Sequence, residues 1–150
     1  MTTSATGKHG SVFIEVLVAL LIVSVLAVPS VFLVRYARRT AVLDAAAGQV
    51  SSVVDLARDI AENERVAVSV IFTERSYGIF REDGELLDKE IKLPPGVRIT
   101  EKTAGFDPVT FDENGRAKQA GHLTLQYGDG GDTREIVLYN LTGTCVIRRP

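Results

Sequence analysis

Few side chains in this chain of 150 residues could support chemistry. One cysteine, Cys145, excludes a disulfide within the chain and any site built from several thiolates, and two histidines leave little for a histidine-based metal site. Cys145 and His122 could act as nucleophile and base, but no third group that would orient the base is visible. Cys145 instead precedes Val146 and Ile147 in a predicted strand, where a cysteine usually behaves as a small hydrophobic residue. We predict no catalytic residues and a protein that is not an enzyme.

Two other features resemble binding sites only superficially. The loop 128–132 contains Asp129 and Asp132 among three glycines, whereas calcium takes six to eight oxygen ligands, so a hairpin turn is the better interpretation. No glycine-rich phosphate loop follows a predicted strand, and we expect neither metal nor cofactor. The net charge of −2 argues against a protein that coats nucleic acid. Arg148 and Arg149 form a small basic end, which is a weak electrostatic footprint for DNA.

Glu15 is the most unusual charged residue, because it directly precedes nineteen residues without a charge, Val16 to Val34. About 20 apolar residues span a hydrocarbon core of about 30 Å, so this run is long enough for a transmembrane helix. A carboxylate carried to the bilayer centre costs up to about 2.5–3.5 kcal/mol, which makes Glu15 a candidate functional residue. Alternatively, Glu15 marks the helix end, near the positive end of the helix dipole.

The apolar run could also belong to an ordinary secretory signal, with small residues suitable for a cut after Ala27. The run is long for such a signal, and it continues past Pro29 to Val34. We therefore favour a helix that is retained.

The segment Gly10-Ser11-Val12-Phe13-Ile14-Glu15, followed by the apolar run, resembles the N-terminal signature of type IV prepilins and the pseudopilins of type II secretion. The resemblance implies that prepilin peptidase cuts on the cytoplasmic side between Gly10 and Ser11. Ser11 then becomes the mature N-terminus and the site of N-methylation, although a phenylalanine or methionine is usual there. The resemblance further implies that Glu15 pairs with the N-terminal amine of a neighbouring subunit during assembly.

The charges that flank the apolar run predict a membrane topology opposite to the one that cleavage on the cytoplasmic side implies. Arg35, Arg38 and Arg39 follow the run, while Lys8 precedes it, so the positive-inside rule would place the C-terminal part in the cytoplasm. The family's peptidase requires Gly10 on the cytoplasmic face. We therefore expect a single-pass protein of the bacterial inner membrane, with its C-terminal domain in the periplasm.

Beyond the apolar run, the pattern predicts a helix to residue 63 and then short strands. A stripe of apolar residues recurs with helical spacing: Val50, Val53, Val54, Ala57, Ile60 and Ala61. A continuous helix is favoured, although two helices joined near Arg35 fit the sequence as well. After Asn63 the period changes to two, with turn signals at Asp83-Gly84 and Asn114-Gly115. Strands are predicted at 66–72, 76–80, 91–93, 97–100, 109–111, 123–127, 135–139 and 144–147.

The order of features in the C-terminal half is similar to that of the minor pseudopilins of the general secretion pathway protein H and fimbrial protein T type. The matching positions are Leu93, Pro94, Gly96 and Val97, then Phe111 and Gly115, and finally Thr142, Gly143 and Ile147.

These observations predict a pilin-like α+β fold, in which a long N-terminal helix packs on a small antiparallel sheet. The predicted segments are a leader (1–10), a transmembrane assembly helix (11–34), its amphipathic continuation (35–63) and a β-sheet domain (64–150). The resemblance implies a minor pseudopilin that supports protein export with other pseudopilins, prepilin peptidase and an inner-membrane assembly platform. One alternative is a minor pilin of a type IV pilus or competence system, at the tip or in DNA binding and uptake. Another is a simple secreted or membrane-tethered adaptor with no assembly role.

Overall fold

A computed structural model describes residues 8–87, 90–129 and 131–149, with side chains from Val12 onward except Val28. Within these residues, one α-helix is followed by eight β-strands, and a 3-10 turn (Ala104–Phe106) lies between the fourth and fifth strands. The helix, α1, comprises Lys8–Glu64. The strands are β1 (Val68–Phe72), β2 (Ser76–Arg81), β3 (Ile91–Lys92), β4 (Val97–Lys102), β5 (Val109–Phe111), β6 (Gly121–Tyr127), β7 (Thr133–Leu138) and β8 (Cys145–Arg148).

Helix α1 is continuous through Pro29 and Arg35, so the alternative of two joined helices is wrong. The part of α1 that follows Arg35 contains no proline and is rich in alanine, which has the highest helix propensity. The helix ends where Arg65 adopts a left-handed conformation (φ 57°), a common way to terminate a helix.

The strands form two antiparallel sheets, whereas the sequence analysis predicted one. The strand order is β3-β2-β1-β5 in the first sheet and β4-β6-β7-β8 in the second. Turns at Gly84 (φ 86°) and Gly115 (φ 69°) lie where the sequence predicted hairpin turns, and both glycines adopt the left-handed conformation that such turns require. Periodicity identifies strands but carries no information about which distant strand is the partner, and this is why the division into two sheets was missed.

The two sheets are linked to each other where the β1–β2 turn meets the outer edge of β4. The backbone N–H of Ile99 in β4 donates to the carbonyl of Glu74 at 2.9 Å. The Lys102 ammonium donates to the carbonyl of Phe72 at 2.8 Å. The first of these bonds uses a backbone group that β4, an edge strand, would otherwise expose.

A single apolar core lies between the second half of α1 and the two sheets. The helix contributes a buried stripe: Leu43, Ala46, Ala47, Val50, Val53, Val54, Ala57 and Ala61. The predicted stripe is therefore confirmed and extends further towards the N-terminus, while Ile60 is only partly buried. Alternate strand residues face this stripe, such as Leu123 and Leu125 of β6. The chain divides into two compact units, one ending at Arg38 and the other beginning at Arg39.

Candidate functional site

The first half of α1 exposes its apolar side chains. Seventeen large apolar residues between Val12 and Tyr36 are each 50–69% exposed, and none of the described ones is buried. The helix is long and apolar enough to cross a membrane. A helix whose apolar side chains are exposed on every face needs an apolar environment, such as a lipid bilayer or other helices. This half of α1 is therefore the candidate assembly site.

Both hydroxyl groups within the apolar run are satisfied by the helix itself. Ser24 donates to the carbonyl of Leu20 at 2.7 Å, and Ser30 donates to the carbonyl of Leu26 at 2.8 Å. Hydroxyls that bond back to the preceding turn need no external partner in an apolar environment. These two hydroxyls thus place no demand on a neighbour.

Glu15 differs from these serines. Its side chain is exposed, and among the residues that the structure describes none forms an ion pair with its carboxylate. Ser11 precedes it by four residues within the same helix, a spacing that puts both on one helix face. The backbone of Gly10 and Ser11 is helical, but their side chains lie outside the described part of the chain, as do residues 1–7 of the predicted leader. The roles predicted for Gly10, Ser11 and Glu15 stay predictions.

Cys145 and His122 lie on opposite faces of the second sheet. Cys145 pairs with Leu138 and packs against the core, whereas His122 pairs with Val137, one position along β7. Burial, together with the nearby negative charge of Asp55, raises the pKa of the Cys145 thiol to about 12. This arrangement separates the thiol from the imidazole and keeps the thiol protonated, so the two residues cannot act as nucleophile and base.

The loop between β6 and β7 uses its first carboxylate in an ion pair. Asp129 Oδ1 lies 3.0 Å from the guanidinium of Arg98 in β4. Within the described ranges, no group of three or more His, Cys, Asp or Glu residues is arranged to hold a metal ion. Asp129 therefore serves as a partner for Arg98.

The basic C-terminal end is also engaged within the chain. Arg148 donates to the Tyr139 hydroxyl at 2.8 Å, and Arg149 lies 3.0 Å from Asp44 Oδ2 in α1. The carboxylate of Asp44 also accepts a bond from Arg134, a buried arginine of β7. This cluster could not be predicted from the sequence, because no local pattern connects residues that lie so far apart in the chain.

Comparison with known proteins identifies the family. Residues 33–143 match the family model described as type II transport protein GspH. The chain belongs to this family. The matched segment begins at the end of the apolar run, so the family assignment is independent of the N-terminal signature.

Two crystal structures of the type IV minor pilin FimU from Pseudomonas aeruginosa have a similar fold. The first gives a TM-score of 0.58 at 15% identity and covers 71% of this chain and 87% of FimU. The second, in another crystal form, gives a TM-score of 0.57 at 15% identity and covers 71% of this chain and 92% of FimU. A search of curated protein sequences found no significant match.

Family and fold together make this GspH-family protein a minor pseudopilin or pilin. The predicted pilin-like α+β fold is confirmed, with an N-terminal helix packed on antiparallel sheets. Such proteins are structural subunits that assemble with other pilin subunits, and the apolar N-terminal helix is consistent with membrane anchoring.

Proposed function

We propose that the chain is a minor pseudopilin of a type II secretion pseudopilus, a structural subunit that supports protein export. The match of residues 33–143 to the GspH family carries this proposal. The exposed apolar half of α1 supplies the surface by which such a subunit packs among other pseudopilins in a fibre.

Assembly in this proposal begins in the inner membrane. Prepilin peptidase cuts between Gly10 and Ser11 on the cytoplasmic face, and the unit from Arg39 onward lies in the periplasm. The new Ser11 amine, which becomes N-methylated, and Glu15 then form charge pairs between neighbouring subunits. A buried carboxylate needs such a partner, and a single buried ion pair can fix the register between packed helices. An inner-membrane assembly platform inserts the processed subunit into the fibre.

A minor pilin of a type IV pilus or competence system is the second candidate, and the FimU-like fold favours it. In that role the subunit would lie at the tip or contribute to DNA uptake. The described structure offers little for DNA, because Arg148 and Arg149 are already engaged by Tyr139 and Asp44.

Deletion of the gene in its own host distinguishes a role in type II secretion from a role in a type IV pilus or competence system. Loss of folded exoproteins from the medium, with normal pili, is the result expected for a secretion pseudopilin. Loss of pili or of transformation with normal secretion would overturn the secretion role and establish the pilus role. Complementation with the intact gene controls for effects on neighbouring genes.

Mass spectrometry of the complemented strain tests processing directly. The membrane fraction is expected to contain a chain that begins at Ser11 and carries an N-methyl group. A mature chain that begins at Val28 would indicate ordinary signal cleavage and contradict assembly through a retained helix.

A further inference from the structure

Two arginines lie at the point where the apolar half of α1 ends. The nineteen uncharged residues from Val16 to Val34 rise about 28 Å as a helix, close to the hydrocarbon thickness of about 30 Å. Each headgroup layer adds about 5–7 Å. Arg35 and Arg38 follow within one helical turn, which places both guanidinium groups at the level of the headgroups when the helix spans a bilayer.

Neither arginine forms an ion pair with another of the described residues. Both side chains are exposed, and in the part of the chain that the structure describes no carboxylate pairs with either of them. Arg39 differs, because its guanidinium carbon lies 6.0 Å from the centre of the Tyr127 ring. Asp44, the next acidic residue along α1, is engaged by Arg134 and Arg149.

The helix face that carries these arginines has the character of a membrane interface. Phe32, Arg35 and Tyr36 share one face of α1, and Arg38 is three residues from Arg35. Phe32 and Tyr36 are 67% and 60% exposed. Tyrosine is enriched at the boundary between hydrocarbon and headgroups, so Tyr36 locates that boundary at the same turn as the arginines.

We propose that Arg35 and Arg38 form a binding site for anionic phospholipid headgroups, in the leaflet where α1 leaves the membrane. Guanidinium groups match the geometry of phosphate oxygens and bind them with charge-assisted hydrogen bonds. A net negative lipid such as phosphatidylglycerol is favoured over a zwitterionic one, because each basic residue near an anionic surface contributes about fivefold in affinity. The inference rests on the membrane anchoring of α1 and applies equally to a pseudopilin and a pilin.

The test uses the full-length protein with Phe32→Trp, reconstituted in phosphatidylcholine vesicles. The natural chain has no tryptophan, so this residue is the only indole and reports on lipids next to Arg35. Quenching of its emission is compared between dibrominated phosphatidylglycerol and dibrominated phosphatidylcholine at the same mole fraction. We expect phosphatidylglycerol to associate about 5- to 25-fold more strongly, and this preference to shrink in 0.5 M salt.

The decisive variant is Arg35→Gln/Arg38→Gln in the same background, which is expected to show no preference between the two lipids. Arg75→Gln/Arg116→Gln is the matched control, because it removes two exposed arginines from the second unit and is expected to keep the preference. Equal quenching by both lipids in the starting protein would overturn the proposal. A preference for phosphatidylglycerol that survives Arg35→Gln/Arg38→Gln would overturn it too. If that variant keeps the lipid preference but loses crosslinking to other pilins, the arginines bind acidic side chains in the fibre instead of lipid. Emission that neither lipid quenches would overturn the membrane anchoring itself.

Discussion

Asp44 in α1 and Arg134 in β7 form an ion pair across ninety positions of sequence, with 2.5 Å between Asp44 Oδ1 and Arg134 Nε. The Arg134 side chain is only 8% exposed, whereas that of Asp44 is 37% exposed. A buried guanidinium is costly without a compensating carboxylate. This pair therefore joins the helix to the second sheet within the unit that begins at Arg39.

Removal of residues 1–38 is expected to leave a soluble, folded monomer. The unit from Arg39 onward contains both sheets and all of the buried stripe of α1, and none of the described side chains that the truncation removes is buried. Analytical ultracentrifugation and a cooperative urea transition are the measurements.

A protein that starts at Val66 is the informative comparison. It lacks the stripe that covers the sheets, so we expect it to aggregate. Soluble, cooperatively unfolding material from Val66 would show that the stripe is not part of the core.

Substitution of Asp44 by Asn is expected to lower the free energy of unfolding of the 39–150 protein by about 1.5–3 kcal/mol at pH 7. That range is typical for hydrogen bonds to charged groups, and the partial exposure of Asp44 keeps the effect below that of a fully buried pair. Urea denaturation provides the measurement. Glu113→Gln, at an exposed turn position, is the control and is expected to change stability by less than about 0.5 kcal/mol. An Asp44→Asn protein as stable as the control would mean that water satisfies Arg134 instead.

The contribution of the Asp44 carboxylate to the free energy of unfolding is expected to fall as the pH is lowered. A hydrogen bond from Arg134 lowers the pKa of the Asp44 carboxyl, and the charges of Arg134 and Arg149 lower it further, outweighing the effect of burial. Stability from this group is therefore fully present above the unfolded pKa of about 4 and is lost as the pH falls through the lower folded pKa. The difference between wild type and Asp44→Asn should shrink progressively below pH 4.

Asp55 is expected to affect the free energy of unfolding in the opposite direction, measured by the same urea denaturation. Asp55 is exposed, but partial desolvation of its carboxyl raises the pKa and the charge of Asp59 raises it further, against a smaller lowering by Arg58. Its ionisation therefore slightly destabilises the fold once the pH rises above about 4. Asp55→Asn should consequently stabilise the protein at pH 7 and have little effect at low pH. A stability gain for Asp55→Asn that stays the same on acidification would contradict this assignment of Asp55.

Replacement of Glu15 by Ala is expected to leave insertion and cleavage after Gly10 intact but to abolish incorporation into the fibre. Removal of a charge next to the apolar run makes insertion easier. Deletion of one partner of a buried pair costs about 3–5 kcal/mol, which reduces assembly by more than about a hundredfold. Crosslinking to other pilins is measured against the level of the protein in the membrane.

Ser24→Ala provides a matched control in the same helix, because the Ser24 hydroxyl is already satisfied by Leu20 and its loss should not affect crosslinking. Undiminished crosslinking of Glu15→Ala would leave two explanations. Either Glu15 is only a charge at the helix end, or this subunit caps the fibre and has no neighbour to pair with.

Local features of the sequence already determined the elements of the fold. The uncharged run from Val16 to Val34 specified an exposed apolar helix, and the spacing from Val50 to Ala61 specified its buried continuation. Alternation and turn residues located the strands closely; β5, for example, comprises the predicted residues Val109–Phe111. Each of these signals depends on residues within about one or two turns of one another, where propensity and periodicity act. The proposed roles of Gly10, Ser11 and Glu15 likewise rest on local spacing.

The tertiary structure decided which of these elements meet. Ser69 of β1 lies opposite Thr110 of β5, forty-one positions later, with their hydroxyls 3.1 Å apart. This pairing places β5 in the first sheet. Gly105 lies so close to the carbonyl of Ala120 that a side chain there would collide with the backbone. Such contacts depend on how both sheets cover the stripe of α1. Burial of apolar faces selects among strand pairings that are locally equivalent, so the partners of β5, Gly105 and Arg134 could not be obtained from periodicity.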